Sequence, residues 1–357
     1  EATTRCFFEL IRREVFTREE LKVELDYFER FKIANPDFIQ PIGLKHVNLK
    51  TESAKLKQTE SGKSSDEVDN TEAWNRIKDL DFVHLHNHTQ FTILQSTMSV
   101  KELVKAAYKQ NMKAVALTDV GNMMAAFHFE KAIQSLNKEI NEERTKAHEE
   151  GIAFTKENIL PIIGCELNVC RNHKDKSVKD NGYQVVFLAK NKQGYQNLIK
   201  LVSIAHTQGM YYVPRVDKEV IEQYSNDLLV LTGSLSGEVP SLLLNVGEKQ
   251  AEEALLWWKS VFGEDLYVEL MRHNQEDENR VNESLVKLAR KHDVKLVATN
   301  NTFYQNKEDA STHDVLLCVR DGEQISKPIG KGRDFRFGFE NSEYYFKSAD
   351  EMKKLFL

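Results

Sequence analysis

Seven short apolar runs of β-forming character recur along the chain, and amphipathic stretches long enough for helices separate several of them. The runs are FVHLH (82–86), AVALT (114–118), LPIIG (160–164), YQVVFLA (183–189), LLVLT (228–232), LYVEL (266–270) and KLVAT (295–299). Helical periodicity appears over 100–111, 193–205, 249–262 and 277–292. Strand and helix in alternation predict a parallel sheet covered by crossover helices. Seven such units favour a β/α barrel, and counting alone leaves an open doubly wound sheet as the alternative. In both architectures the chemistry gathers just past the carboxyl ends of the strands.

Those ends hold His84-Leu85-His86-Asn87-His88, Thr118-Asp119-Val120, Gly164-Cys165-Glu166, Gly233-Ser234, Arg272-His273 and Asn300-Asn301. Residues two apart on a strand share a face and lie about 6.6 Å apart along it. The spacing therefore predicts that His84, His86 and His88 point the same way, able to lean onto one metal at about 2.1 Å. The alternative is a set of hydrogen-bonded core histidines at a polar barrel mouth. A hydrolytic site of two or three metals needs several carboxylates to offset the ionic charge. Only Glu166, with Asp119 or Glu269 as further candidates, offers one at these ends, so a multinuclear site is short of ligands.

The 49 Lys+Arg and 55 Asp+Glu give a net charge of -6, so the chain as a whole is not a polycation for gripping phosphate backbones. Cys6, Cys165, Cys170 and Cys318 form no CxxC pair, a pattern that fits a reducing, cytoplasmic compartment. No stretch is apolar enough for a membrane helix, and the charged first turns lack the apolar core of a signal peptide. The chain begins with Glu, which suggests a fragment. Residues 1–44 read as a helical segment, with Thr17 and Glu20 in capping-box spacing at the second helix and an end near Asn35-Pro36. The 45–75 stretch, poor in large apolar residues and rich in Lys, Ser, Thr and Glu through about residue 70, reads as a flexible linker. The barrel would then span 76–323 and a connector 324–357.

From about Asp81 onward the chain resembles the polymerase and histidinol phosphatase (PHP) domains of bacterial replicative polymerase alpha subunits. The strings that carry the resemblance include FVHLHNHT, AVALTDVGNMMAAFHFEKAI, LPIIGCEL, NKQGYQNLIKLVS, YYVPRVD, LTGSLSGEVP and LYVELMRH. The resemblance implies a distorted seven-stranded β/α (TIM-like) barrel. In metal-binding members nine side chains hold up to three ions. Motif by motif, His86, His88 and Glu166 match ligands, whereas Gln95, Val120, Gln184, Ser234, Asn301 and Phe303 stand where the family has ligands. Six positions are therefore neutral, and their loss together has a physical logic: carboxylates without metal would repel one another.

The resemblance thus implies a degenerate, mainly structural PHP domain, with His86, His88 and Glu166 as a remnant that holds at most a single Zn or Mn ion. It also implies a parent DNA polymerase that uses Mg and contacts DNA, with palm, fingers and thumb beyond this chain. The first residues, Glu1 to Phe7, resemble the last helix of DEDD-type 3′-5′ exonucleases, so a fused or associated proofreading exonuclease is a further expected partner. Lys327, Lys331, Arg333 and Arg336, interleaved with Phe335 and Phe337, form a candidate patch for DNA or for another domain. The competing reading is an active metal-dependent phosphoesterase or exonuclease with a reduced ligand set. A stand-alone histidinol-phosphatase-like enzyme is weaker, because NKQGYQNL and YYVPRVD are polymerase-type strings. His128, His148, His206 and His292 sit on predicted helices without partners in ligand spacing, and His273 has no assigned role.

Overall fold

The computed structural model describes residues 8, 10–34, 71–330 and 332–357. The Glu1–Phe7 segment, the 45–70 part of the linker and Lys331 lie outside the described residues. The chain divides into two units, Glu1–Asp69 and Asn70–Leu357.

In the first unit, helix α1 (Arg18–Leu21) opens on a complete capping box: Glu20 N donates to Thr17 Oγ1 and Thr17 N to the Glu20 carboxylate. The expected second helix, opening at Thr17 and ending near Asn35-Pro36, which lie outside the described residues, is broken, because Lys22 adopts a left-handed φ of 51° and closes α1 after one turn. The chain resumes helix at α2 (Tyr27–Ala34), where Phe31 meets Phe8 edge-on at 5.4 Å.

The second unit is built on a curled sheet of seven strands: β1 (Ala114–Leu117), β2 (Leu160–Cys170), β3 (Tyr183–Ala189), β4 (Arg215–Asp217), β5 (Leu228–Leu231), β6 (Leu266–Leu270) and β7 (Lys295–Ala298). The helices are α3 (Thr71–Ile77), α4 (Val100–Lys109), α5 (Ala126–Glu149), α6 (Lys192–Thr207), α7 (Lys218–Tyr224), α8 (Glu238–Asn245), α9 (Glu248–Phe262), α10 (Glu276–Lys291), α11 (Ala310–Asp321) and α12 (Ala349–Leu355). Helix α3 takes up residues 71–75, which the sequence assigned to the linker. The main path runs β1-β2-β3-β5-β6-β7, with the short β4 paired to β2.

Two expectations are corrected. The sheet is not all parallel, since β3 runs antiparallel to both β2 and β5. A long buried β2 pairs with β1 through its first half and with β3 through its second, and this lets the path reverse. The first apolar run, 82–86, is not a regular strand. It is nevertheless the piece that closes the ring: Ala116 N donates to His84 O (3.0 Å), Thr302 N to His86 O (3.1 Å), and His88 N to Thr302 O (2.8 Å). Asn87 cements the same seam, its Nδ2 donating to Ala116 O (2.9 Å) and its backbone exchanging bonds with the Thr118 hydroxyl.

The barrel interior is a small apolar plug of Ala116, Val186, Leu188 and Leu231, joined by Leu85, Ile162, Leu229, Tyr267 and Val297. Gly164 lies among them because a Cβ there would sit 2.5 Å from the Phe187 carbonyl oxygen. Larger cores lie outside the ring. One packs α6, α9 and α10 on the sheet around Phe187, Leu198, Leu255 and Trp258, and the other packs α4 and α5 around Leu103, Leu117 and Phe129. Among the described residues no helix is long and apolar enough to cross a membrane.

Candidate metal centre at the barrel mouth

Strand alternation carries side chains at positions 162, 186, 229, 267 and 297 into the plug, so Glu166, Glu269 and Thr299 follow in phase toward the carboxyl ends of their strands and Gln184 reaches the same mouth from the amino end of the antiparallel β3. The 82–88 segment breaks this rule. The chain bends at His86, so Leu85 faces the plug while His86 reaches the inward-facing Glu166 and Glu269. The expectation that His84, His86 and His88 share one face is corrected by this bend. His84 turns away: its Nε2 donates to Lys347 O (2.8 Å) and its ring lies 4.2 Å from Phe346.

His86, His88 and Glu166 do come together. One ring nitrogen from each histidine and one carboxylate oxygen all lie within 4.8 Å of one another, and all three side chains are buried. His86 Nδ1 donates to Glu269 Oε1 (2.9 Å), and its Nε2 stands 3.7 Å from Glu166 Oε1, an ion-pair distance too long for a hydrogen bond. His88 Nε2 donates to Asn301 Oδ1 (2.8 Å), and its ring stacks on Phe303 at 4.3 Å.

The electrostatics follow from this packing. Burial by itself would depress His86, but the charge of Glu269 and the contacts of Glu166 override it and push the imidazole up to about 10. Burial wins at His88, which falls to about 4. Burial opposes the Glu166 carboxylate as well, yet His86 and His88 beside it hold it below its ordinary range. The pocket therefore demands positive charge between two carboxylates, and either a proton on His86 Nε2 or a cation satisfies it.

The donor set fits one metal ion. His86 Nε2 is buried without a hydrogen-bond partner, as a lone pair held for a cation would be, and His88 faces Glu166 through Nε2 (3.6 Å), the nitrogen that also bonds Asn301. Among the described residues no other group of ligand side chains stands close enough together to hold a second ion. Gln95, Val120, Gln184, Ser234, Asn301 and Phe303 line one cavity of about 410 Å³ together with Glu166, and none of the six is charged. Asp119, the other carboxylate considered, is committed elsewhere: it accepts from Thr89 N (2.6 Å), Thr89 Oγ1 (2.8 Å) and Thr92 Oγ1 (2.7 Å) and so fixes the loop after His88.

The remaining candidates are placed apart from this cluster. Arg336 is buried and grips Asp314 with two bonds of 2.6 and 2.7 Å, and Lys327 pairs with Glu323 at 2.7 Å, while Arg333 is exposed. His206 Nε2 donates to Gly121 O (2.7 Å), and His292 pairs with Glu252 (2.6 Å). His273 lines the cavity but is held by Glu278 (2.6 Å) and Asn300 O (2.6 Å) and stacks on Tyr344 at 4.0 Å. Glu269, which the sequence offered only as one further carboxylate candidate, is the partner of His86 Nδ1. Its signal was a carboxylate inside an apolar strand run, LYVEL, where an unpaired charge is not stable.

Comparison with known proteins agrees with this geometry. Residues 84–273, more than half of the chain, match the PHP domain family. The chain is 36% identical over 279 residues to DNA polymerase III subunit alpha of Borreliella burgdorferi, covering 77% of this chain and 22% of that protein. It is 36% identical over 282 residues to DNA polymerase III subunit alpha of Treponema pallidum, covering 78% and 22%. The subunit of the same name from Aquifex aeolicus is 35% identical over 286 residues, covering 77% and 22%. The chain thus spans 22% of the length of these relatives. With its histidine-bearing seam, its curled sheet and its His86-His88-Glu166 cluster, the chain belongs to the PHP domain family.

Proposed function

We propose that this chain is the PHP portion of a bacterial replicative DNA polymerase alpha subunit, and that its barrel serves the polymerase as a structural domain rather than as a phosphoesterase. The observation that carries the reading is the cavity at the barrel mouth. All six positions where the family's other ligands would stand line it, and all six are neutral. Two-metal hydrolysis needs ions about 3.5–4 Å apart clamping both the attacking and the leaving oxygen. Three ligand-type side chains supply one ion at most.

At that single site His86, His88 and Glu166 would hold a divalent cation of the Zn or Mn class, which when bound supplies positive charge and Lewis acidity. The chain's own residues shape the rest. Asn301 and Phe303 pin the His88 ring by a hydrogen bond and a stack, and Phe303 fills part of the mouth. The polymerase chemistry, its Mg ions, its DNA contacts and a proofreading exonuclease partner belong in this reading to the rest of the parent protein, in a cytoplasmic setting. A boundary near residues 76 and 323 and a role of Lys327, Lys331 and Arg333 in contacting DNA or a neighbouring domain are part of the same proposal. Arg336 contributes to it by folding the segment, since its guanidinium is spent on Asp314.

The test is elemental analysis of the purified chain combined with hydrolysis assays on single-stranded DNA and on a generic phosphate ester with added Mn²⁺ or Zn²⁺. The expected result is no turnover above background. Turnover that disappears in His86→Ala would overturn the reading.

A further inference from the structure

We propose that Glu269 is the positioning residue that presents His86 Nε2 to a cation, and that it controls the affinity of the site; this rests on the single-ion reading given above. Glu269 is fully enclosed at the end of β6. Its Oε1 accepts the His86 Nδ1 proton (2.9 Å) and the Thr299 hydroxyl (2.5 Å), and its backbone N–H donates to Thr232 Oγ1 (3.0 Å). The backbone of Glu269 is therefore tied to the end of β5, and its carboxylate is held through Oε1 by Thr299 just past β7 and by His86, while Oε2 has no hydrogen-bond partner.

That anchoring decides which nitrogen faces the ion. A proton held on Nδ1 by a carboxylate leaves Nε2 as the only ligand atom of the ring, and the buried Nε2 has no hydrogen-bond partner of its own. A carboxylate behind a ligating imidazole also fixes its tautomer and ring angle, and losing such a partner typically costs about ten- to a hundredfold in metal affinity. Glu269 is not itself one of the ligands. The group whose ligand atoms all lie within 4.8 Å of one another is His86, His88 and Glu166, without Glu269. Among the described residues no carboxylate other than Glu269 bonds His86 Nδ1; Glu166 lies on the Nε2 side, at 3.7 Å.

The experiment is Co²⁺ titration of the full chain, followed by visible d–d absorption and by chelator competition, with thermal melting of each variant as the folding control. Wild type is expected to take up one Co²⁺. Glu269→Ala should bind it about ten- to a hundredfold more weakly, and Glu269→Gln, which keeps an acceptor for Nδ1–H, should lose less. A purely structural Glu269 would lower the melting temperature and leave the Co²⁺ affinity unchanged, and that result overturns the proposal. Equal losses in the alanine and glutamine variants would also overturn it, by assigning the effect to charge rather than orientation. If the alanine variant does not melt cooperatively, Thr299→Val, which removes the second donor to the same oxygen, replaces it; a smaller weakening is expected, and unchanged affinity overturns the proposal. Failure of wild type to take up Co²⁺ would remove the single-ion reading and this proposal together, whereas wild-type uptake with an unaffected Glu269→Ala removes only the proposal.

Discussion

Asp217 shows how one side chain joins three pieces of the barrel rim. Its Oδ2 accepts from His173 Nδ1 (2.5 Å) and His173 N (3.1 Å), and its Oδ1 accepts from Val220 N (3.1 Å) as the cap of α7. Burial alone would raise this carboxyl, but the bonds from His173 and Val220 outweigh it and hold it below the ordinary value of 3.8. A carboxyl with a depressed folded pKa contributes stability that is complete above its unfolded pKa and is lost as pH falls through the lower folded one. Asp217→Asn should therefore destabilise the protein by about 1–3 kcal/mol at neutral pH. The gap between the two melting curves should close as pH drops below 3.8. Melting curves from pH 7 to pH 2.5 test this, and a gap independent of pH would sink it. At the same scale His86 and His88, two residues apart, move in opposite directions, to about 10 and about 4. Residue type and spacing alone make them equivalent; Glu269 and the contacts of Glu166 raise the first, and burial lowers the second.

Among the elements, the ones bounded by local chemistry were readable and the ones bounded by pairing were not. Helix α4 begins at a capping box, with Glu102 N donating to Ser99 Oγ (3.2 Å) and Ser99 N donating to Glu102 Oε2 (2.8 Å). Ser99→Ala should cost about 1 kcal/mol in urea denaturation, and an unchanged midpoint would count against the cap. The 82–88 run carries strand-like composition, yet it closes the ring through single bonds and the Asn87 amide rather than through a ladder. Asn87→Ala leaves the Ala116 carbonyl without this donor and should cost about 1–3 kcal/mol, measured by the same denaturation. Equal stability of the variant would show that the seam does not depend on the amide. The direction of β3 was hidden for a related reason. Its alternation is the same whichever way it runs, so periodicity places Val186 and Leu188 inward without fixing their neighbours.

At the scale of the whole molecule, four apolar clusters are present among the described residues; three hold the ring and its helices together, and the fourth, around Phe303, Tyr304 and Tyr344, packs beside the charged cluster at the mouth. The fold therefore should not need an ion. Chelator-treated protein is expected to keep a single cooperative melting transition, and added Co²⁺ should raise the midpoint only by mass action. Loss of cooperative melting on chelation would show instead that the metal is part of the core.

By itself the sequence determined the apolar runs and the helix caps, because each is written in a few neighbouring residues, and its resemblance to the PHP family implied the three ligand-type residues and the six neutral ones at matching positions. It could not determine that His84 leaves the cluster or that Glu269 enters it. The bond from His86 to Glu269 spans 183 residues, and a bend at His86 decides which side chains face inward. Only closure of the ring brings those two strand ends within hydrogen-bond reach. Burial there forbids an unpaired charge, and this turns two distant residues into one ion pair.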